Sequence, residues 1–572
     1  MSTTMSEEWR PFAALRRIDA VVDFAAASPA RAAAVLVVLA LLNFLPGFFG
    51  IPPVDRDEAR FAQATKQMIE SADYIDIRFQ DEVRYKKPVG IYWLQAAVVR
   101  TAQALGVPDA TTRIWLYRIP SLVGAVGAVL MTFWIALAFG RPRTAVLAAM
   151  MVAWCVLLGV EARLAKTDAM LLFTVTAAMG ALARVYLNRE SAVTKHAGWI
   201  LPAIFWTALA GGILLKGPLI VMVTGLAATT LSVLDRSGRW LGRLRPAVGI
   251  VWTTALVLPW FIAIAGRTGD SFFVESVGGD LLSKLFSGQE AHGAPPGYYL
   301  LLFWLTFWPA APLAFVAAPA IWRNRHDPGI RFLLAWLVPA WITFELIVTK
   351  LPHYVLPVYP AVAILIGLAM ERQQLSTRRW LVRGTLHWPV IAAILAIGAV
   401  IILIVVGKQL GLLAWPFAAG AAIVGFFAWR LYALDGAERS LLRAGVAAML
   451  TSFTVFGLVL PLLQPLFPSA QAVESLDTDC DQPLFAAAGY QEPSLVFLLG
   501  TSTELLDGAG AADFLSQGRC RYALVEAREE RSFARRAEAI GLRYFAGPRI
   551  EGINASIGRA VTLAVFRSVD AP

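Results

Sequence analysis

The chain has 572 residues, of which 58% are hydrophobic and only 16% charged, with a mean hydropathy of +0.62. Soluble domains carry roughly 25% charged residues, so a water-soluble globular architecture is excluded for most of the chain, and the continuous apolar runs exclude a β-barrel. The net charge of +10 sits mainly in short loops between apolar runs, which makes it a topological signal and not a nucleic-acid footprint.

Residues 1–30 are mixed in character and contain Arg10, Arg16 and Arg17. No small-residue cleavage site follows a short apolar core, so no cleavable signal is expected. Apolar runs long enough for helical spans fall near 32–50, 114–140, 144–162, 168–187, 198–215, 217–234, 246–265, 298–321, 332–349, 354–371, 386–406, 411–430 and 443–463. They give an expectation of about 13 transmembrane helices over 31–463, with the two termini on opposite sides. Between the first and second runs, 51–113 is polar. Within it, 57–71 and 90–105 read as helices lying at the interface.

Charge bias orients the chain. The loops 141–143, 188–196, 235–245, 323–331, 371–384 and 430–443 carry 18 Lys/Arg against 6 Asp/Glu and belong in the cytoplasm with the N-terminus. The alternate loops, and the tail from 464, then face outward. The tail, 464–572, has short apolar stretches at Ser494–Leu499 and Tyr522–Glu526 with a helical stretch at 527–541, the pattern of a small periplasmic α/β domain. Of the three cysteines, Cys155 lies within a span and reads as packing. Cys480 and Cys520 lie in the tail and could pair in an oxidising compartment. The Ala- and Arg-rich composition points to a GC-rich genome and hence to a bacterium.

The outward loops hold most of the unusual polar residues. Asp57 and Glu58 open the 57–71 helix, either as partners of its N-terminal dipole or as catalytic carboxylates. Tyr85-Lys86-Lys87-Pro88 follows, with the lysines either snorkelling beside Tyr92-Trp93 or holding a phosphate. Glu161, Arg163, Lys166 and Asp168 crowd one turn, as a local salt-bridge cluster or as the source of a second carboxylate beside Asp57. Lys216 interrupts an apolar run, and Lys350 to Tyr354 repeats the theme. A lysine at such a position is expensive unless it lines a cavity or binds an anion. With Arg84, Lys86, Lys87 and Arg163, these residues could surround a phosphate. In loop 266–297, Glu290 and His292 are weak candidates for a divalent metal, against the plainer reading of a solvated loop.

Asp57-Glu58-Ala59-Arg60-Phe61, Ser71-Ala72-Asp73-Tyr74, Tyr85-Lys86-Lys87-Pro88 with Tyr92-Trp93, Arg163 to Asp168, Lys216-Gly217-Pro218 and Lys350 to Tyr354 resemble, in order, the motifs of the bacterial family 39/83 glycosyltransferases. These are the relatives of protein O-mannosyltransferases and of the lipid A aminoarabinose transferase. The chain departs from their pattern at Phe61, Lys86 and Val89, and at Ser276 after Glu275. The resemblance implies a GT-C fold and a sugar donor carried on a polyprenyl phosphate, with chemistry on the outer face of the bacterial inner membrane. It implies Asp57, Asp168 and Glu58 as catalytic carboxylates. It implies Lys87, Lys350, Tyr354, Tyr85, Arg60 and Lys86 around the donor phosphate, and a lipid or protein as acceptor. The rivals are a flippase for lipid-linked sugars, which would need similar phosphate contacts, and a membrane scaffold without catalysis. No inverted repeat of the transporter kind is visible in the sequence, and a scaffold has little reason to keep such costly polar groups.

Overall fold

In the computed structural model, residues 18–188, 198–269, 272, 274, 293–476, 480, 482–554 and 557–569 are described. All thirteen apolar runs fall on helical segments. Among the described residues seven helices are long and apolar enough to cross a membrane: Ile114–Ala136, Asp168–Leu187, Pro246–Thr268, Pro328–Leu346, Pro352–Glu371, Arg379–Val405 and Tyr432–Leu462. Pro29–Phe44, Ile200–Lys216, Leu219–Leu234 and Ala311–Arg323 are shorter apolar helices. The chain is a multi-pass membrane protein.

Two expected spans are broken, and the breaks meet. The 144–162 run divides into Pro142–Trp154 and Val156–Glu161 at Cys155, and the 298–321 run into Tyr298–Thr306 and Ala311–Arg323 beside Pro309. A break inside an apolar core frees backbone groups that need partners. Here they serve each other: Val156 N–H donates to the Trp308 carbonyl at 3.3 Å, and the Cys155 thiol to the Thr306 carbonyl at 3.0 Å. Cys155 therefore packs within the bundle, as its position in the sequence suggests.

The polar segment after the first helix forms two helices, Asp57–Ser71 and Gly90–Ala104, joined through a two-stranded hairpin, β1 (Arg78–Phe79) and β2 (Glu82–Val83). The first ends at Ala72, whose left-handed φ of 54° stops the helix. It is buried along much of its length, because the tail domain covers it. That tail carries a five-stranded mixed sheet of β3 (Leu484–Ala488), β4 (Glu504–Leu506), β5 (Arg521–Glu526), β6 (Tyr544–Asn554) and β7 (Arg559–Ser568) in the order β4-β3-β5-β7-β6. The helices Gly508–Ser516 and Glu530–Ala539 pack Phe514, Leu515, Phe533 and Ala537 against one face of the sheet. Cys480 and Cys520 form a disulfide with a Cα–Cα distance of 5.9 Å.

Of the two apolar stretches of the tail, Tyr522–Glu526 falls in strand β5, whereas Ser494–Leu499 lies in a helix, Pro493–Leu499. Proline at the first position favours helix entry, and the short helix is held by what it buries. Leu495 joins the core beneath the sheet, while Phe497 enters the cluster formed by Ala62, Ile69, Val99 and Tyr117. The Phe497 ring meets Tyr117 edge-on at 5.3 Å, and its carbonyl accepts from Lys66 Nζ at 2.9 Å.

At the end of the bundle that carries the basic loops, charges pair across loops. Arg331 meets Asp235 at 2.6 Å, Arg439 meets Asp19 at 2.8 Å, Arg372 meets Asp327 at 3.1 Å, and Arg143 bridges Asp23 and Glu438.

Candidate active site

A cavity of about 300 Å³ opens at the opposite end of the bundle, between the start of the Asp57–Ser71 helix, the 84–87 strip, the 164–168 turn, Lys216 and the 349–354 turn. Of the residues expected at a site, Asp57, Glu58, Arg60, Lys86, Lys87, Asp168 and Tyr354 line it. Asp55, Arg56, Arg84, Lys166, Thr167, Lys216, Thr349 and His353 line it as well. Seven cationic side chains thus face four carboxylates, an excess that suits an anion.

The wall is assembled by Glu58. Its Oε1 accepts from Arg118 Nε and from the Ala165 amide, each at 2.8 Å, and its Oε2 from Arg118 Nη2 and the Val54 amide, each at 2.9 Å. Arg118 in turn donates to the carbonyls of Phe48 at 3.1 Å, Ile51 at 2.8 Å and Pro52 at 3.0 Å. Both side chains are buried, and this clamp ties the end of the first helix to the 161–168 turn. That brings Asp57 and Asp168 to one cavity from positions far apart in sequence. A carboxylate so fully engaged has no lone pair left for substrate, so the catalytic role expected for Glu58 is replaced by a structural one. Arg118 was missed, although an arginine four residues into an apolar run is itself a signal.

Asp57, the residue before Glu58, is exposed to the cavity. Arg56 before it has φ 64° and ψ −106°, a strained backbone for a side chain with a Cβ. Such strain persists only where surroundings enforce it, and it collects at functional sites.

Asp168, at the start of its helix, accepts from Lys216 Nζ, with Lys166 Nζ at 3.9 Å and His353 Nε2 at 3.6 Å. Glu161 lies 3.2 Å from Lys166 Nζ and 3.6 Å from His353 Nδ1. Lys216 also sits over the Tyr354 ring at 5.4 Å. The 161–168 turn thus forms a salt-bridge cluster from Glu161, Lys166 and Asp168 without the expected Arg163, and it also delivers Asp168 to the cavity. Glu161, Asp168 and His353 place ligand atoms within 4.8 Å of one another, as a metal site would. The ammonium groups of Lys166 and Lys216 already neutralise these carboxylates, so the group balances its charge with the protein's own cations. Glu290 and His292 lie outside the described residues.

Three expected phosphate contacts point elsewhere. Lys350 Nζ donates to the carbonyls of Ile347 at 2.5 Å and Glu345 at 2.8 Å, capping the Pro328–Leu346 helix. A lysine completes the orphan carbonyls of a helix C-terminus well, and the neighbours Thr349, Leu351 and His353 line the cavity instead. The Tyr85 hydroxyl donates to Asp76 at 2.9 Å and its ring packs edge-on against Phe272 at 5.5 Å, away from the cavity lining. Arg163 is buried among the carbonyls of Pro46, Gly159 and Asn43, with its guanidinium over the Phe456 ring at 4.2 Å. Lys216, expected to help surround a phosphate, lines the cavity and is paired there with Asp168.

The tail domain reaches the rim through Asp55, which accepts from the Ser494 amide at 3.1 Å. Burial raises the Asp55 carboxyl from 3.8 to about 6, opposed by the Ser494 hydrogen bonds.

The family described as dolichyl-phosphate-mannose-protein mannosyltransferase matches residues 57–269, the stretch that supplies Asp57, the lysine strip, Asp168 and Lys216. The chain is 28% identical over 492 residues to an undecaprenyl phosphate-alpha-4-amino-4-deoxy-L-arabinose arabinosyl transferase of Pseudomonas paraeruginosa, covering 83% of this chain and 82% of that one. A protein of the same name from Edwardsiella ictaluri is 26% identical over 516 residues, covering 84% and 87%. The crystal structure of ArnT from Cupriavidus metallidurans in the apo state superposes with a TM-score of 0.71 at 19% identity, covering 93% of this chain and 97% of that one. The same protein bound to undecaprenyl phosphate gives 0.70. The chain shares the fold of these two structures. The family match covers the cavity residues from Asp57 to Lys216, while Asp55, Arg56 and the 349–354 turn lie outside it.

Proposed function

We propose that this GT-C protein transfers a sugar from a polyprenyl-phosphate donor to a hydroxyl of an envelope acceptor, with a lipid A-like lipid as the leading candidate. The observation that carries the reading is the cavity itself. Two carboxylates from distant segments, Asp57 and Asp168, meet an excess of cations, including Lys86, Lys87 and Arg84, at one end of a membrane bundle. The curated relatives of similar length are named for undecaprenyl-phosphate-linked aminoarabinose, which supports the donor class.

In this reading the acceptor oxygen attacks the anomeric carbon while the bond from that carbon to the phosphate oxygen breaks. Asp57 takes the acceptor proton. The departing polyprenyl phosphate carries the electron pair away, and Lys86, Lys87 and Arg60 stabilise its charge. Asp168, held by Lys216, orients the acceptor, and the Tyr354 ring shapes the wall near Lys216. We further assign the cavity to the periplasmic face of the inner membrane, with thirteen crossings between residues 31 and 463, a cytoplasmic N-terminus and a periplasmic tail from 464. The arginine bias of the opposite loops supports this topology.

A second reading, transfer to a protein hydroxyl, is favoured by the match to the protein mannosyltransferase family. One experiment addresses both. Radiolabelled sugar on polyprenyl phosphate is supplied to membranes containing wild type, Asp57→Asn or Lys87→Ala, and label is followed into lipid and protein fractions. Label in lipid that disappears in both variants supports the first reading, and label in protein the second. Donor translocation without transfer, unchanged in Asp57→Asn, would overturn both in favour of a flippase.

A further inference from the structure

A second built crevice lies far from the cavity. The helix Ile200–Lys216 delivers Lys216 to the cavity at its C-terminal end, and 17 residues at 1.5 Å each place its N-terminal end about 25 Å away. There, Trp199, Trp206 and Trp252 with Leu244, Arg245 and Val248 enclose about 250 Å³. The floor is fixed. Trp206 Nε1 donates to the Leu244 carbonyl at 2.7 Å, and Trp252 Nε1 to Thr207 Oγ1 at 3.0 Å. Position 249 must be glycine for this packing, because a Cβ there would meet the Trp206 indole at 1.9 Å. At the rim, the Arg245 guanidinium lies 3.7 Å from the Trp199 ring centroid.

The surroundings define the occupant. The loop 235–245 carries Arg236, Arg239, Arg243 and Arg245 against one carboxylate, Asp235, which is already paired with Arg331 at 2.6 Å. The crevice opens toward the outside of the bundle, where Val248, Val251 and Trp252 are exposed along the Pro246–Thr268 helix. A hydrated small anion has no use for three indole walls, and a neutral lipid has no use for the arginines. An apolar slot beneath a basic rim, at the end of membrane helices, matches a phospholipid with an acyl chain in the slot and an anionic headgroup at the arginines.

We infer that this crevice is a binding site for one anionic phospholipid of the leaflet that bathes the basic loops. The site stands apart from the transfer reaction and does not depend on it.

The test uses the full chain in nanodiscs of phosphatidylcholine with a minor fraction of phosphatidylglycerol, released into native mass spectrometry so that retained lipids are counted by mass. Wild type is expected to keep one phosphatidylglycerol over phosphatidylcholine by about fivefold, the factor that one arginine near an anionic headgroup contributes. Arg245→Gln and Trp199→Ala should each bring the ratio close to unity. Arg378→Gln, on a different basic loop, should leave it unchanged. If Arg245→Gln does not fold, Trp199→Ala decides alone, since Trp199 is more than half exposed and its loss opens only the rim. The proposal is overturned if wild type shows no preference, if Trp199→Ala keeps it, or if Arg378→Gln loses it equally, which would mean diffuse surface charge and no site.

Discussion

The two ends of the helical bundle use charge in opposite ways. At the basic-loop end, arginines and carboxylates pair across loops while partly exposed, as Arg372 and Asp327 do with 34% and 36% of their side chains accessible. At the cavity end most of the charged groups are buried or half-buried, Asp57 and Lys86 being exposed, cations outnumber carboxylates, and one pair, Glu58 with Arg118, is sealed from solvent. At the first end the pairs lie near solvent, where each contributes little. The second uses charge to hold a cavity in shape, where each group is costly to strand.

Breaking the sealed pair should give the largest effect on stability. Arg118→Met leaves Glu58 buried without its counter-charge, and a loss of about 3–5 kcal/mol is expected. It should appear as a large drop in the apparent melting temperature in detergent. Glu58 and Asp57 are adjacent, so Asp57→Asn sharpens the contrast: melting unchanged, transfer slowed by roughly 10²- to 10⁴-fold. A matching loss of stability in Asp57→Asn would remove the distinction drawn between the two carboxylates.

Asp55 gives a pH-dependent prediction of intermediate size. Its carboxyl is raised from 3.8 to about 6 in the folded protein, so between those values the native state binds more protons than the unfolded chain. Stability from this group is therefore greatest below pH 4 and is lost as pH rises through 6. Two pH units correspond to about 3 kcal/mol at most, less where solvent reaches the group. Asp55→Asn should melt close to wild type at pH 4 and above it at pH 7; a constant gap across that range would contradict the assignment.

Lys350→Met should cost about 1 kcal/mol through the lost helix cap while leaving KM for the lipid-linked donor unchanged, whereas Lys87→Ala should raise it. The smallest effect belongs to the other end of the bundle: Asp327→Ala, apart from its capping of the Pro328 helix, removes an ion pair with Arg372 of about 0.5 kcal/mol. A double-mutant cycle with Arg372→Ala isolates that term.

The helices were legible because apolar runs in a membrane leave the backbone little choice, and the helices at 57–71 and 90–104 were legible from their mixed polarity. Ser494–Leu499 was not assignable from the sequence because five apolar residues after a serine carry no period that separates strand from helix, and the decision lies with Phe497 docking against Tyr117. Within the cavity, ordered motifs located Asp57, Lys87 and Asp168. Spacing alone does not say which side chain of a tight turn faces inward, so Lys350 stood in for its neighbours Thr349 and His353. Glu58 was ambiguous for a related reason: its partner lies 60 residues away, inside an apolar run.

The tail helix at Pro493–Leu499 carries one more consequence. Phe497 accepts from Lys66 and Ser494 donates to Asp55, contacts separated by 431 and 439 residues. A nascent chain still on the ribosome and short of residue 494 has every membrane helix of the bundle but lacks the brace on the rim beside Asp57. The tail adds no lining residue, since the cavity is lined by residues up to Tyr354, but its brace on the rim at Asp55 forms only after residue 494 has been made, late in synthesis.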